Sequence, residues 1–215
     1  MLITAHGGSL ETKRNTQLFF DKIKDYNVDI IEVDIRKKGN LIYLSHMPTF
    51  FPKTKITLRY AFEFCKKYNY KINCDLKQFG LISPVIALAE EIGVTDKIIF
   101  TGNTISEKDI STLTAGSLYL NKSIVPYKPT VENVKNIKNY ITKLNNINVA
   151  GLNYNYKFLS DEFLEECKKQ NLAVSIFTPD TKQLLEKFTC RQEIYNLTTN
   201  HPDWALELLN KEIKK

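Results

Sequence analysis

An eightfold alternation of strand-like and helix-like segments predicts a single-domain (β/α)8 barrel, the TIM-barrel class, over residues 1–215. Length is the second observation, since 215 residues can close eight such units around one core. The third is where the polar residues fall. His6, Glu32 and Asp34, Asp75 and Lys77, Asn103, Asn121, Asn153, Thr178 and Thr199 stand at the carboxyl ends of apolar strand segments, the end at which such barrels build active sites. An open doubly wound sheet is the alternative arrangement; the count of eight favours the barrel.

The first strand, residues 2–5, is a short apolar run ending at His6-Gly7-Gly8, and a helix is expected over 14–27. The second strand, 29–35, carries Glu32 and Asp34, which point to the same side because strand residues i and i+2 share a face. Arg36-Lys37-Lys38-Gly39-Asn40 follows, then the extended run Leu41 to Ser45. Gly39-Asn40 reads as a hairpin turn, which folds back along the barrel mouth and brings His46 towards the other polar residues. Further strands are expected at 71–76, 96–101, 117–120, 148–152, 172–177 and 193–198. Helices alternate with them near 57–69, 81–92, 106–114, 130–145, 160–170, 180–188 and 202–213. Ser106 and Ser160 each precede acidic first-turn residues, Pro202 suits a first helical position, and Gly80 and Gly93 punctuate helix ends.

Bulk properties exclude several classes. Hydrophobic residues make up 43% and charged residues 25%, as in ordinary globular proteins. No apolar run reaches the ~18 residues of a transmembrane helix. The first apolar run lacks a basic leader and meets His6 at once, so the chain is expected to be cytoplasmic or a mature form whose leader was removed. Cys65, Cys74, Cys167 and Cys190 form no CxxC pair and read as reduced structural thiols. The net charge of +6 comes from lysines spread over helical faces and the Lys211 to Lys215 tail. No basic stripe interleaved with aromatics is visible in the sequence, so no nucleic-acid partner is expected; a mildly positive field suits a small anionic substrate.

Buried strands do not carry acids or imidazoles without compensation. If Glu32, Asp34 and Asp75 converge inside the barrel, they repel one another unless a cation neutralises them. All-oxygen ligation with open positions suits Mg²⁺ or Ca²⁺. Lys77 is placed to neutralise remaining charge or to hold a phosphate oxygen. A closed ion-pair network at the barrel end is the other reading of the same four residues. His6 and His46, at separate element ends, suit an acid–base pair flanking a bound phosphate.

These residues resemble the glycerophosphodiester phosphodiesterase family. Its members open with a strand ending in His-Arg-Gly, continue with Asn-Thr at the first helix, a Glu-x-Asp strand and a hairpin ending in His-Asp. This chain has His6-Gly7-Gly8, Asn15-Thr16, Glu32-Val33-Asp34 and His46-Met47. Asn73-Cys74-Asp75-Leu76-Lys77, Ile176-Phe177-Thr178 and Thr199-Asn200-His201-Pro202-Asp203 match later family segments more loosely. The resemblance implies a TIM barrel that hydrolyses small-molecule glycerophosphodiesters to glycerol 3-phosphate and an alcohol. It implies His6 and His46 as the acid–base pair, Glu32, Asp34 and Asp75 as ligands of a divalent metal, and Lys77 and Phe177 at the substrate.

Four departures stand out. Gly7 replaces the family's arginine, which clamps phosphate in a bidentate manner. Met47 replaces an acid, Asp75 is one methylene shorter than the family's glutamate, and only residues 47–56 remain of an insertion after the hairpin. Arg36, Lys122 or Arg14 is expected to replace the missing clamp. The related sphingomyelinase D-like lipid phosphodiesterases, which are secreted and disulfide-braced, are the second resemblance. A barrel that binds a phosphodiester without turnover is the third reading.

Overall fold

The computed structural model describes residues 1–213; Lys214 and Lys215, the end of the basic tail, lie outside the described residues. Eight parallel strands form a closed barrel: β1 (Leu2–Ala5), β2 (Ile30–Lys38), β4 (Lys71–Leu76), β5 (Ile98–Thr101), β6 (Ser117–Asn121), β7 (Val149–Asn155), β8 (Ala173–Phe177) and β9 (Ile194–Thr199). Pairing of β1 with both β9 and β2 closes the ring. The extra strand β3 (Leu41–Leu44) runs antiparallel to the end of β2, with Lys38 opposite Leu41 across the Gly39 turn. The expected barrel and hairpin are both present, and the open-sheet alternative falls with the β1–β2 pairing.

Helices ring the barrel: α1 (Gln17–Ile23), α2 (Leu58–Tyr68), α3 (Ile82–Ile92), α4 (Glu107–Ser111), α5 (Val134–Lys143), α6 (Asp161–Lys169), α7 (Lys182–Thr189) and α8 (Pro202–Ile213). The expected caps at Ser160 and Ser106 are formed, the latter as a reciprocal box with Asp109. Gly93 ends α3 in the left-handed conformation. Gly80 does not end a helix: it precedes α3, where its N–H donates to Asp109 Oδ1 at 2.9 Å.

Two helices are shorter than the sequence suggests. The segment expected as helix 14–27 begins only at Gln17, because Asn15 adopts φ 58° and its side chain is committed to Asp34. The stretch expected over 106–114 is helical only to Ser111.

The hydrophobic core lies between the barrel and the helices. Outward-facing Ile3, Ile31, Val33, Ile72 and Cys74 pack with Phe19, Phe20, Phe62 and Cys65 among fully buried residues. Cys65, Cys74 and Cys167 are buried and free, and burial pushes their thiols up; Cys190 is exposed and free. The barrel interior itself is polar. Thr4, Asn73, Thr101, Asn121, Asn153, Ser175 and Asn196 are buried there, where most such barrels hold branched aliphatics. No helix among the described residues is long and apolar enough to cross a membrane.

Candidate active site

Register brings the acids together. Asp34 pairs with Asp75 across β2 and β4, with Glu32 two residues earlier on the same face. Glu32, Asp34 and Asp75 each present an oxygen within 4.8 Å of the others. Lys77 Nζ lies 2.6 Å from Asp75 Oδ2 and 3.0 Å from Asp34 Oδ1. One ammonium among three carboxylates leaves an excess of negative charge.

The titration behaviour follows from that crowding. Burial, then the neighbouring Asp34 and Asp75 carboxylates, hold the Glu32 carboxyl well above its usual range, against the Gly7 N–H that donates to Glu32 Oε2 at 2.8 Å. Burial likewise raises Asp75, opposed by Lys77 and supported by Asp34. Burial pushes Asp34 up too, but Lys77, Asn15 and His46 together outweigh it and hold Asp34 low. Lys77 is raised because the attraction of Asp75 and Asp34 exceeds the cost of its burial. Asp75 Oδ1 is buried with no hydrogen-bond partner. An orphaned buried carboxylate oxygen beside two further acids fits a divalent, oxygen-preferring cation.

His6 and His46 flank this cluster. His6 follows β1, its backbone N–H donating to Thr199 O at 3.0 Å. Its Nδ1 lies 2.8 Å from Asn200 Oδ1, and its Nε2 lies 3.8 Å from Glu32 Oε2. Asn200 cannot turn: its Nδ2 and backbone N–H donate to the two oxygens of Asp180 at 2.7 and 2.8 Å. Asn200 therefore presents an acceptor to His6, which places the proton on Nδ1 and the lone pair on Nε2, towards the acids. Burial and the Arg14 charge lower the His6 pKa, against Asn200, Asp34 and Asp180. His46 stands half-exposed at the mouth, with Nδ1 3.2 Å from Asp34 Oδ1.

A cavity of about 220 Å³ joins these groups with Arg14, Asn73, Asn103, Asn121, Asn153, Phe177 and Thr178. Not every expected substrate-binding residue reaches it. Arg36 does not line the cavity: its Nε and Nη2 donate to the backbone oxygen of His46 at 3.1 and 2.9 Å, bracing the hairpin end. Lys122 does not line it either, its ammonium lying 3.8 Å above the Phe158 ring. Arg14 does. Its Nη1 is 3.5 Å from His46 Nδ1, and among the described residues it has no carboxylate partner, which leaves a guanidinium at the mouth free to meet an anion.

Sequence reasoning missed Asp180 and Asn200 as site residues, and it treated the asparagines only as strand-end markers. Those asparagines form a directed chain. Thr4 Oγ1 donates to Asn196 Oδ1, Asn196 Nδ2 to Ser175 Oγ, and Ser175 Oγ to Asn153 Oδ1. Asn153 Nδ2 then donates to Asn121 Oδ1, and Asn121 Nδ2 to Asn103 Oδ1. The Gly102 N–H, 3.4 Å from Asn121 Oδ1, fixes the direction. Gly102 holds φ 132°, and a Cβ there would meet Leu76 O at 2.5 Å, so glycine is required. Every amide oxygen of the chain is taken, and the wall facing the carboxylates offers N–H donors.

No family model matches the chain, and no curated protein matches it. Solved structures match along its whole length. A glycerophosphodiester phosphodiesterase from Parabacteroides distasonis superposes with TM-score 0.78 at 14% identity, covering 99% of this chain and 98% of that one. An Oleispira antarctica phosphodiesterase in complex with the product sn-glycerol-3-phosphate superposes with TM-score 0.76 at 16% identity, covering 98% and 97%. N-(5'-phosphoribosyl)anthranilate isomerase from Pyrococcus furiosus matches less well, with TM-score 0.57 at 13% identity over 100% of both chains. The chain thus has the TIM-barrel fold found in solved glycerophosphodiester phosphodiesterases.

Proposed function

We propose that the protein is a metal-dependent phosphodiester hydrolase that cleaves glycerophosphodiesters to glycerol 3-phosphate and an alcohol. The observation that carries this reading is the convergence of Glu32, Asp34 and Asp75 with a histidine on either side and an unpaired arginine at the mouth. A Mg²⁺ or Ca²⁺ ion held by the three acids would polarise the phosphoryl group and offset its developing charge. Arg14 holds non-bridging phosphate oxygens, in the role left empty by Gly7. His6, neutral through burial and held by Asn200 with Nε2 unprotonated, accepts the proton of the attacking oxygen. His46, half-exposed at the mouth with Asp34 beside Nδ1, protonates the departing alkoxide. Lys77 keeps Asp34 and Asp75 in register. The N–H donors of Asn103, Asn121 and Asn153 engage hydroxyl oxygens of the glycerol, and Phe177 packs against its carbons.

The test is incubation with glycerophosphocholine and Mg²⁺ or Ca²⁺, with EDTA and His6→Ala controls. Glycerol 3-phosphate release is expected, abolished by EDTA and reduced at least ~10²-fold in the variant. Release that persists in EDTA contradicts the metal's role. Metal binding without turnover of any diester overturns the hydrolase reading in favour of a binding barrel.

A further inference from the structure

The exposed phenylalanines gather at one end of the molecule. Phe50 is 88% exposed, Phe51 73%, Phe79 66% and Phe158 52%, and Met47 beside them is 66% exposed. Every other phenylalanine is buried except Phe177, which lines the cavity. Phe50 and Phe51 lie between β3 and α2, Phe79 between β4 and α3, and Phe158 between β7 and α6. The loops with Phe79 and Phe158 follow the carboxyl ends of barrel strands, and the one with Phe50 and Phe51 follows the hairpin strand β3, which returns from the end of β2. The order β7-β6-β5-β4-β2 sets Phe158 across the mouth from Phe50, Phe51 and Phe79. The rings therefore flank the cavity from two sides.

The same loops are basic. Residues 36–57 contain Arg36, Lys37, Lys38, Lys53 and Lys55 and no acid, and Lys122, Lys128 and Lys157 stand on the opposite flank. Two ammonium groups sit over these rings: Lys38 Nζ lies 5.7 Å from the Phe50 centroid and Lys122 Nζ 3.8 Å from that of Phe158. Around the rings the acids stand at helix starts: Glu107 and Asp109 in the first turn of α4, Glu132 just before α5, and Asp161 and Glu162 in the first turn of α6, with Asp161 paired with Lys187 and Arg191. Glu11, Asp180 and Asp203 stand on the loops and helix start that follow β1, β8 and β9.

We infer that this face docks on an anionic lipid surface. Exposed aromatic rings on these loops, two of them with a lysine alongside, insert to the depth of the acyl boundary while the ammonium groups meet anionic headgroups. Single-stranded nucleic acid fits less well, because its readers align stacking rings along a groove that follows the strand. Here the rings stand on opposite flanks of the cavity mouth. Docking in this pose turns the cavity mouth towards the headgroups. The inference rests on the rim and is independent of whether the site turns over a diester.

Co-sedimentation with vesicles tests it: one set made of phosphatidylcholine alone, the other of phosphatidylcholine and phosphatidylglycerol in equal parts. Binding is expected to the anionic set, weakening as salt is raised. The double variant Phe50→Ser, Phe51→Ser is expected to lose about tenfold in partitioning at an unchanged unfolding temperature. Lys53→Glu with Lys55→Glu should lose the anionic preference. Three results would each overturn the proposal: no preference for anionic vesicles, unchanged partitioning of the phenylalanine variant, or salt-sensitive binding to a single-stranded oligonucleotide without vesicle binding.

Discussion

In the proposed mechanism Arg14 takes the phosphate-holding role that Gly7 leaves empty. Glycine after His6 leaves that position of the resembling motif without a guanidinium, and under that mechanism Arg14, further along the same loop between β1 and α1, supplies one. Replacing Arg14 with alanine removes a charged hydrogen-bond partner of about 1.5–3 kcal/mol, roughly 10–100-fold. The loss should appear in KM for a glycerophosphodiester, with the unfolding temperature unmoved, because Arg14 has no carboxylate partner to abandon among the described residues. An unchanged KM would sink its assignment as the clamp. The reverse substitution does not restore the resembling pattern. A Cβ on residue 7 would sit 2.9 Å from the Glu32 backbone oxygen and 3.3 Å from Glu32 Oε2. Gly7→Arg is therefore expected to lower both turnover and thermal stability, and a gain in turnover would show that the clamp position is still usable. At this scale the acids and both imidazoles were legible in the sequence, because ionisable residues at apolar strand ends are conspicuous. Asn200 and Asp180 were not. Asn200 meets His6 across 194 residues, and its role depends on which way a pinned amide faces, a property no spacing encodes.

The β2–β3 hairpin is the element on which the second histidine depends. Its turn was legible from Gly39-Asn40, and so was the return of His46 to the mouth. The bracing contact was not, since Arg36 read as a phosphate ligand while its guanidinium is spent on the His46 carbonyl. Arg36→Ala frees that carbonyl and lets the imidazole drift from Asp34. Small misplacements of a reacting group are costly, so kcat should fall about tenfold with KM nearly constant, the opposite split from Arg14→Ala. A rise in KM alone would return Arg36 to the substrate. Helix lengths were misread for a related reason. Local pattern favours helix from residue 14, but Asn15 takes φ 58° so that its amide can both donate to Asp34 Oδ2 and accept from the Asp34 N–H. A long-range hydrogen-bonded contact there overrides local propensity.

Across the whole molecule, the barrel closes around a charge cluster that its own lysine does not balance. Eight strands were countable from the sequence, and the convergence of their polar ends follows from closure itself. The surface pattern was not countable. Lys38 with Phe50 and Lys122 with Phe158 lie far apart along the chain or across a loop, so the aromatic and basic rim emerges only when the loops assemble. The charge imbalance makes a stability prediction. A cation that binds only the folded state stabilises by about 2.7 kcal/mol at a hundredfold excess over its Kd, worth roughly 5–10 °C at this size. Mg²⁺ or Ca²⁺ should raise the unfolding temperature accordingly, and Asp75→Asn should abolish the shift. Glu32→Gln separates ligation from repulsion. Burial and the neighbouring Asp34 and Asp75 carboxylates raise the Glu32 carboxyl, so without metal this carboxylate is a net cost above its ordinary range. The glutamine variant should then unfold no earlier than wild type in EDTA, yet gain little from metal. The sign carries over to pH. Glu32 and Asp75, both raised, weaken the metal-free fold as pH climbs from the ordinary carboxylate range towards neutrality, and ligation removes that penalty. The metal-induced shift should therefore grow between pH 5 and pH 7, read by thermal unfolding with and without EDTA. A constant shift over that interval, or one retained in Asp75→Asn, would place the cation somewhere other than the three acids.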